Sequence, residues 1–207
     1  MAGNQISLKL LVDKEMNRVV FAESGNDFVD VLFSFLTMPM GTIVRLTGKE
    51  SKMGGITTLY ESVKDLDVNL LQTNSCKKML LYPKSASEEH CNNLKIVFDE
   101  KSNASASSKD GVFVKGNMRF IIRYDLQVFP ASVKAASTML KELGIYDVSV
   151  LEERNVNVGA AEAASLLIAS LISKTVLTDV FCPKKPKHLR KKSYKRGSKL
   201  RKGLVEL

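Results

Sequence analysis

Near the start of the chain Ile6, Leu8, Leu10 and Val12 alternate with Ser7, Lys9 and Leu11, the period of a strand with one buried face. Residues 13–17 are turn-forming and residues 19–22 are apolar again, so the opening reads as a β-hairpin. Ser24, Gly25 and Asn26 then offer an N-cap to a helix. In it Phe28, Val29, Leu32, Phe33, Phe35 and Leu36 recur at spacings of three and four, with Asp27, Asp30 and Ser34 on the opposite, polar stripe. Pro39 and Gly41 end that helix, and the β-branched run at residues 42–47 reads as a strand.

Gly54 and Gly55 precede Ile56, Leu59, Tyr60 and Val63, which predict a second helix. The pattern then fades, leaving mobile loops near residues 72–93 and 99–110, apart from short apolar runs at 79–82 and 94–98. Residues 112–114, 118–123 and 126–129 look β-like. Pro130 suits the first turn of a helix that passes Val133, Met139, Leu140 and Leu143 and stops at Gly144. Residues 148–151 read as a strand, 162–172 as an apolar helix and 176–181 as a closing strand.

Three stretches, 19–46, 126–151 and 156–181, share the order strand, turn, helix, strand, which raises an internal duplication of a βαβ-like unit. Alternation of helix and strand predicts one mixed α/β domain over residues 1–181. Its expected core is a single mixed sheet with the N-terminal hairpin, covered by about four helices.

Charge divides the chain at the end of that domain. Residues 182–207 hold 11 Lys and Arg against Glu206 alone, although the whole chain of 207 residues carries only +9. Residues 1–181 therefore sum to −1, a near-neutral body followed by a polycation. Pro183, Pro186 and Gly197 break any continuous helix there, so a tail disordered until bound is expected. No run of about 18 apolar residues occurs, and residues 1–8 lack the features of a signal peptide. With three sparse cysteines, Cys76, Cys91 and Cys182, the expected setting is the reducing nucleus or cytoplasm.

Several phrases recur in a fixed order: Leu8 to Asp13, Arg18 to Glu23, Asp27 to Asp30, Pro39 to Thr42, Leu59 to Ser62, Val114 to Gly116, and Leu171 to Phe181. Together they resemble the plant family defined by domain of unknown function 674, over a single unit that ends at Phe181. The resemblance implies no particular reaction. It does imply that longer relatives carry tandem units, many with paired Cys-x-x-Cys motifs in the middle region that would suit a zinc ribbon.

This chain has only Cys76, His90 and Cys91 in that region, short of the four tetrahedral donors of structural zinc, so neither metal nor cofactor is expected. Lys49, Lys52, Gly54 and Gly55 lie before a predicted helix start, where backbone N–H groups can cradle an anion. The Lys does not follow the second Gly, so the P-loop pattern is not met. Asp13, Glu23, Asp27, Asp30 and Glu61 are the candidate acid/base carboxylates. With two histidines, one of them His188 in the tail, histidine-activated nucleophiles have little material.

The tail has the clearest chemistry. Lys184, Lys185, Lys187, Arg190, Lys191, Lys192, Lys195, Arg196, Lys199, Arg201 and Lys202 match the clustering of import signals and can neutralise nucleic-acid phosphates. Tyr194 could stack on an exposed base. The expected function is a non-enzymatic interaction module, with an import receptor or nucleic acid as the partner of the tail and a further protein as the partner of the body. The alternative is a small-molecule or phosphate-binding enzyme built on the loop at 48–58.

Overall fold

The computed structural model describes residues 5–48, 53–96 and 111–183. Its centre is one five-stranded sheet in the order β4-β3-β2-β1-β5, formed by β1 (Ile6–Asp13), β2 (Arg18–Gly25), β3 (Arg119–Arg123), β4 (Val128–Pro130) and β5 (Leu151–Val158). The mixed α/β class is as expected. All four ladders are antiparallel, where a mixed sheet was predicted.

The hairpin forms where the alternation placed it. Its register breaks once: Leu11 faces Phe21 and Val12 faces Val19, leaving Val20 as an extra residue. This bulge turns two successive side chains, Val20 and Phe21, to the same side of the sheet. It therefore lets one strand serve two cores. Ile6, Leu8, Leu10, Val12, Val19 and Ala22 fill one face, whereas Val20, Phe21 and Ile121 belong to the other.

The first face lies under α1 (Asn26–Ser34), α7 (Ala160–Ile172) and α8 (Val176–Phe181), with Ile43 of α2 (Met40–Thr47) also in that core. Phe28, Val29 and Val31 of α1 and Ala163, Leu166 and Leu167 of α7 are fully or almost fully buried against the strands. The second face is smaller. There α6 (Val133–Glu142) brings Met139, Ala135, Ala136 and Leu140 onto Phe21 and Ile121. Ser132 caps α6 by accepting the Ala135 N–H at 3.1 Å, and Pro130 closes β4 where a first helical turn was expected. Gly144 follows α6 with φ +70°, the left-handed stop that its position predicted.

Two predicted strands are helices, and for one reason. Four of residues 42–47 are β-branched, yet Thr47 sits three and four residues from Val44 and Ile43 and all three are buried, so the helical face outweighs the local propensity. Residues 176–181 likewise form α8, with Val176 and Leu177 buried. The parallel between the two is close: β2 and β5 each run straight through an extended glycine, Gly25 and Gly159, into a helix followed by a second short helix. The shared unit is strand, helix, helix rather than βαβ. Residues 148–150 are a 3-10 turn that leads into β5, longer than the strand predicted there.

The quiet middle of the sequence is also structured. Besides the expected helix α3 (Gly55–Asp65), α4 (Asn74–Leu81) and α5 (Glu88–Cys91) occupy the stretch read as a loop, giving eight α-helices among the described residues. Gly41 lets α2 approach α4: a Cβ there would meet the Leu80 carbonyl oxygen at 2.7 Å. No single helix among the described residues is long and apolar enough to cross a membrane.

Candidate functional site

The candidate carboxylates are engaged separately, each with its own neighbours. Asp13, at the end of β1, accepts the N–H groups of Glu15 and Met16 at 3.1 and 3.0 Å and pairs with Arg18 Nε at 3.1 Å, which fixes the hairpin turn. Asp27 holds Lys95 Nζ at 3.3 Å. Glu23 lies across the ladder from Lys9, and Glu61 pairs loosely with Lys64 at 3.7 Å. The structure does not bring these five together into one acid/base centre.

Asp30 departs most from expectation. The helical wheel puts it on a polar stripe, but it is buried, and its carboxylate receives three consecutive backbone N–H groups: Val112 at 2.9 Å, Phe113 at 2.7 Å and Val114 at 2.9 Å. Residues 112–114, predicted β-like, are a bend wrapped on this carboxylate. Gly111 makes the bend possible, with φ +77°; a Cβ at this glycine would fall 1.9 Å from the Val114 carbonyl oxygen. Successive N–H groups converging on an anion form a nest. Here the chain supplies its own anion, so the cradle is a structural clamp. His90 braces it from outside, with Nε2 2.6 Å from the Val112 carbonyl oxygen and its ring edge-on to Phe113 at 5.1 Å.

The proposed phosphate loop is only partly in view. Lys49 and Lys52 lie outside the described residues; Gly54 has φ +70° and Gly55 opens α3, which has no side-chain N-cap bond. The thiols and the imidazole separate in space by their partners. Cys76 Sγ lies against Thr73 at 3.2 Å, Cys91 Sγ against Thr37 at 3.7 Å, and His90 against Val112. No cluster of three His, Cys, Asp or Glu that could hold a metal occurs among the described residues.

At the carboxyl end, Cys182 is packed into the core rather than starting a free tail. Burial pushes its thiol up from the ordinary range, with Arg154 opposing; Arg154 Nη1 donates to Cys182 Sγ at 3.4 Å. The helix before it is fastened to the bulge. Val19 N–H donates to Thr178 Oγ1 at 3.0 Å, and Leu177 N–H donates to the Tyr124 carbonyl oxygen at 3.0 Å. Sequence reasoning passed over the Thr178–Val19 and Arg154–Cys182 contacts, because each joins positions distant in the chain. The tail residues Lys184, Lys185, Lys187, Arg190, Lys191, Lys192, Lys195, Arg196, Lys199, Arg201 and Lys202 lie outside the described residues.

The half of the second sheet face beyond α6 is polar. Lys9 pairs with Glu153 at 2.7 Å, and that bond, with Glu23 nearby, holds the ammonium above its ordinary range. Arg119, Asn155 and Asn157 are exposed and lie on the same side. These are charges and amides on one side of the sheet.

Fold and side chains define an antiparallel α/β domain whose buried carboxylates are spent on turns and clamps. The chain belongs to the family described as Protein of unknown function (DUF674), whose model matches it twice, over residues 2–106 and 97–204. The match runs past Phe181, so the basic clusters lie within the family's bounds, contrary to the expectation that the resemblance stops before them. No curated protein and no solved structure matches the chain.

Proposed function

We propose that the protein is a non-enzymatic interaction module that contacts nucleic-acid phosphates through its basic carboxy-terminal segment and works in the nucleus. The observation that carries this reading is the division of charge, 11 Lys and Arg against Glu206 beyond Phe181 and −1 over the rest. It is supported by the use of Asp13 and Asp30 as backbone acceptors that hold a turn and a bend. The same clusters would suit an import receptor, which accounts for a nuclear address without a second site.

If about five of these residues engage duplex phosphates, the logarithm of the binding constant should fall against log salt with a slope of about −4 to −5. Changing Lys184, Lys185, Lys187, Arg190, Lys191 and Lys192 to Gln in the full chain should flatten that slope and exclude a tagged protein from the nucleus. Unchanged affinity and location would remove the reading. The rival, a phosphate-handling enzyme on the 48–58 loop, would be promoted by a rise in melting temperature with nucleotide.

A further inference from the structure

We propose that two copies of this chain pair antiparallel along β5, edge to edge, and continue one sheet across both. Among the described residues the two edges of the sheet are unlike. On one side β4 has three residues and ends at Pro130, which has no N–H to offer, so that edge is blunted. On the other, β5 has eight residues, keeps an unbroken register with β1 from Ile6 against Val158 to Asp13 against Leu151, and contains neither Pro nor Gly. Alternate residues of such an edge aim both backbone groups outward, a template for another strand.

The side chains decide which strand fits. Glu152 and Arg154 lie on the helix-covered side of β5, opposite Val12 and Leu10, in contact with each other and partly buried. An unrelated strand would desolvate these charges without complementing them. A second copy brings the complements. With the two-fold axis at Glu153, Glu152 of each copy faces Arg154 of the other, and Leu151 faces Asn155. The two Glu153 side chains meet on the polar side, where each already holds a Lys9 at 2.7 Å, so no net like charge opposes the approach. Such an isologous contact closes on itself, leaving the blunted β4 edges outermost.

The arrangement also bears on the tail. Because Cys182 touches Arg154, each chain leaves the described body beside β5, and pairing would gather two basic segments at one place. That consequence rests on the function proposed above, and the pairing itself does not. Two linked segments bind a polyanion with raised effective concentration.

Sedimentation of the full chain at micromolar concentrations, without nucleic acid, should show a dimer. Arg154→Glu should weaken it by about tenfold or more, by setting four carboxylates together across the axis. The double exchange Glu152→Arg with Arg154→Glu should restore it, since every cross-pair is then reversed but complementary, and this rescue separates lost pairing from lost folding. The six Lys and Arg to Gln changes in the tail should leave the mass unaltered. A monomer at every concentration, a dimer indifferent to Arg154→Glu, or one dissociated by Leu59→Asp on α3 would overturn the proposal.

Discussion

The sheet with its covering helices and the small helical lobe of α3, α4 and α5 hold together by different means. In the core under α1 and α7 the side chains of Leu8, Val12, Phe28, Leu166 and Ile122 are inaccessible to water. By contrast α3 and α5 bury no residue and α4 buries only Leu81, while Leu59, Leu70, Met79 and Tyr82 remain more than half exposed. The lobe is fastened by directional contacts: Tyr60 Oη donates to the Leu81 carbonyl oxygen at 3.0 Å, Ser85 Oγ to the Thr37 carbonyl oxygen at 2.8 Å, and Arg45 stacks over Tyr82 at 5.6 Å. Most of the buried apolar side chains thus lie where the sheet gives them a surface to cover. Elsewhere a few hydrogen bonds set the geometry and the apolar side chains stay at the surface.

Substitutions matched across the two regions put that contrast to the test. Leu166→Ala removes a fully buried side chain from the larger core and should cost about 3 to 5 kcal/mol in denaturant unfolding. Next comes Asp30→Asn, which keeps the shape but turns an amide N–H toward converging donors. It should cost about 2 to 3 kcal/mol and raise hydrogen exchange at Val112, Phe113 and Val114 before it does so in β1.

Asp125 gives a smaller, pH-dependent effect. Its side-chain bond to Arg123 at 2.5 Å and the Gln127 N–H hold its carboxyl below the usual range, against a raising effect of burial. The stabilisation is present above the unfolded pKa of about 3.9 and is lost as pH falls through the depressed folded value. Asp125→Asn should therefore lower the melting temperature near neutrality and approach the parent protein in acid. The smallest effect is expected from Leu59→Ala, within about 0.5 kcal/mol, since the leucine is 59% exposed. A loss comparable to that of Leu166 would mean that the lobe has a core of its own.

The same contrast explains what could be read from the chain. The hairpin, α1, α6 and α7 were legible because a single periodic face determines each of them. Residues 42–47 and 176–181 mislead in the same way: four of six residues in the first and three of six in the second are Val, Ile or Thr, which favour a strand locally, and only the neighbouring helices and sheet make the helical face the buried one. In 72–93 the apolar residues are too few and too exposed to register as periodic, although α4 is capped by Thr73, which accepts the Cys76 N–H at 3.2 Å. The Asp30 clamp was hidden because its donors lie more than 80 residues away. A buried carboxylate of this kind announces itself in sequence only as a polar residue on a helix, which is also how a solvated one looks.

The place of β1 between β2 and β5 has a consequence for synthesis. One neighbour of β1 is made immediately after it, but the other, which faces it from Ile6 through Asp13, begins only at Leu151. At ribosomal speeds of about 5 to 20 residues per second, the hairpin waits roughly 6 to 25 seconds with one side of β1 unpaired. During that interval the nascent chain presents a bare strand whose buried-face residues are Ile6, Leu8, Leu10 and Val12. Chaperone demand should therefore peak before the last third of the chain emerges, and a ribosome stalled short of β5 would hold the most adhesive form of the molecule.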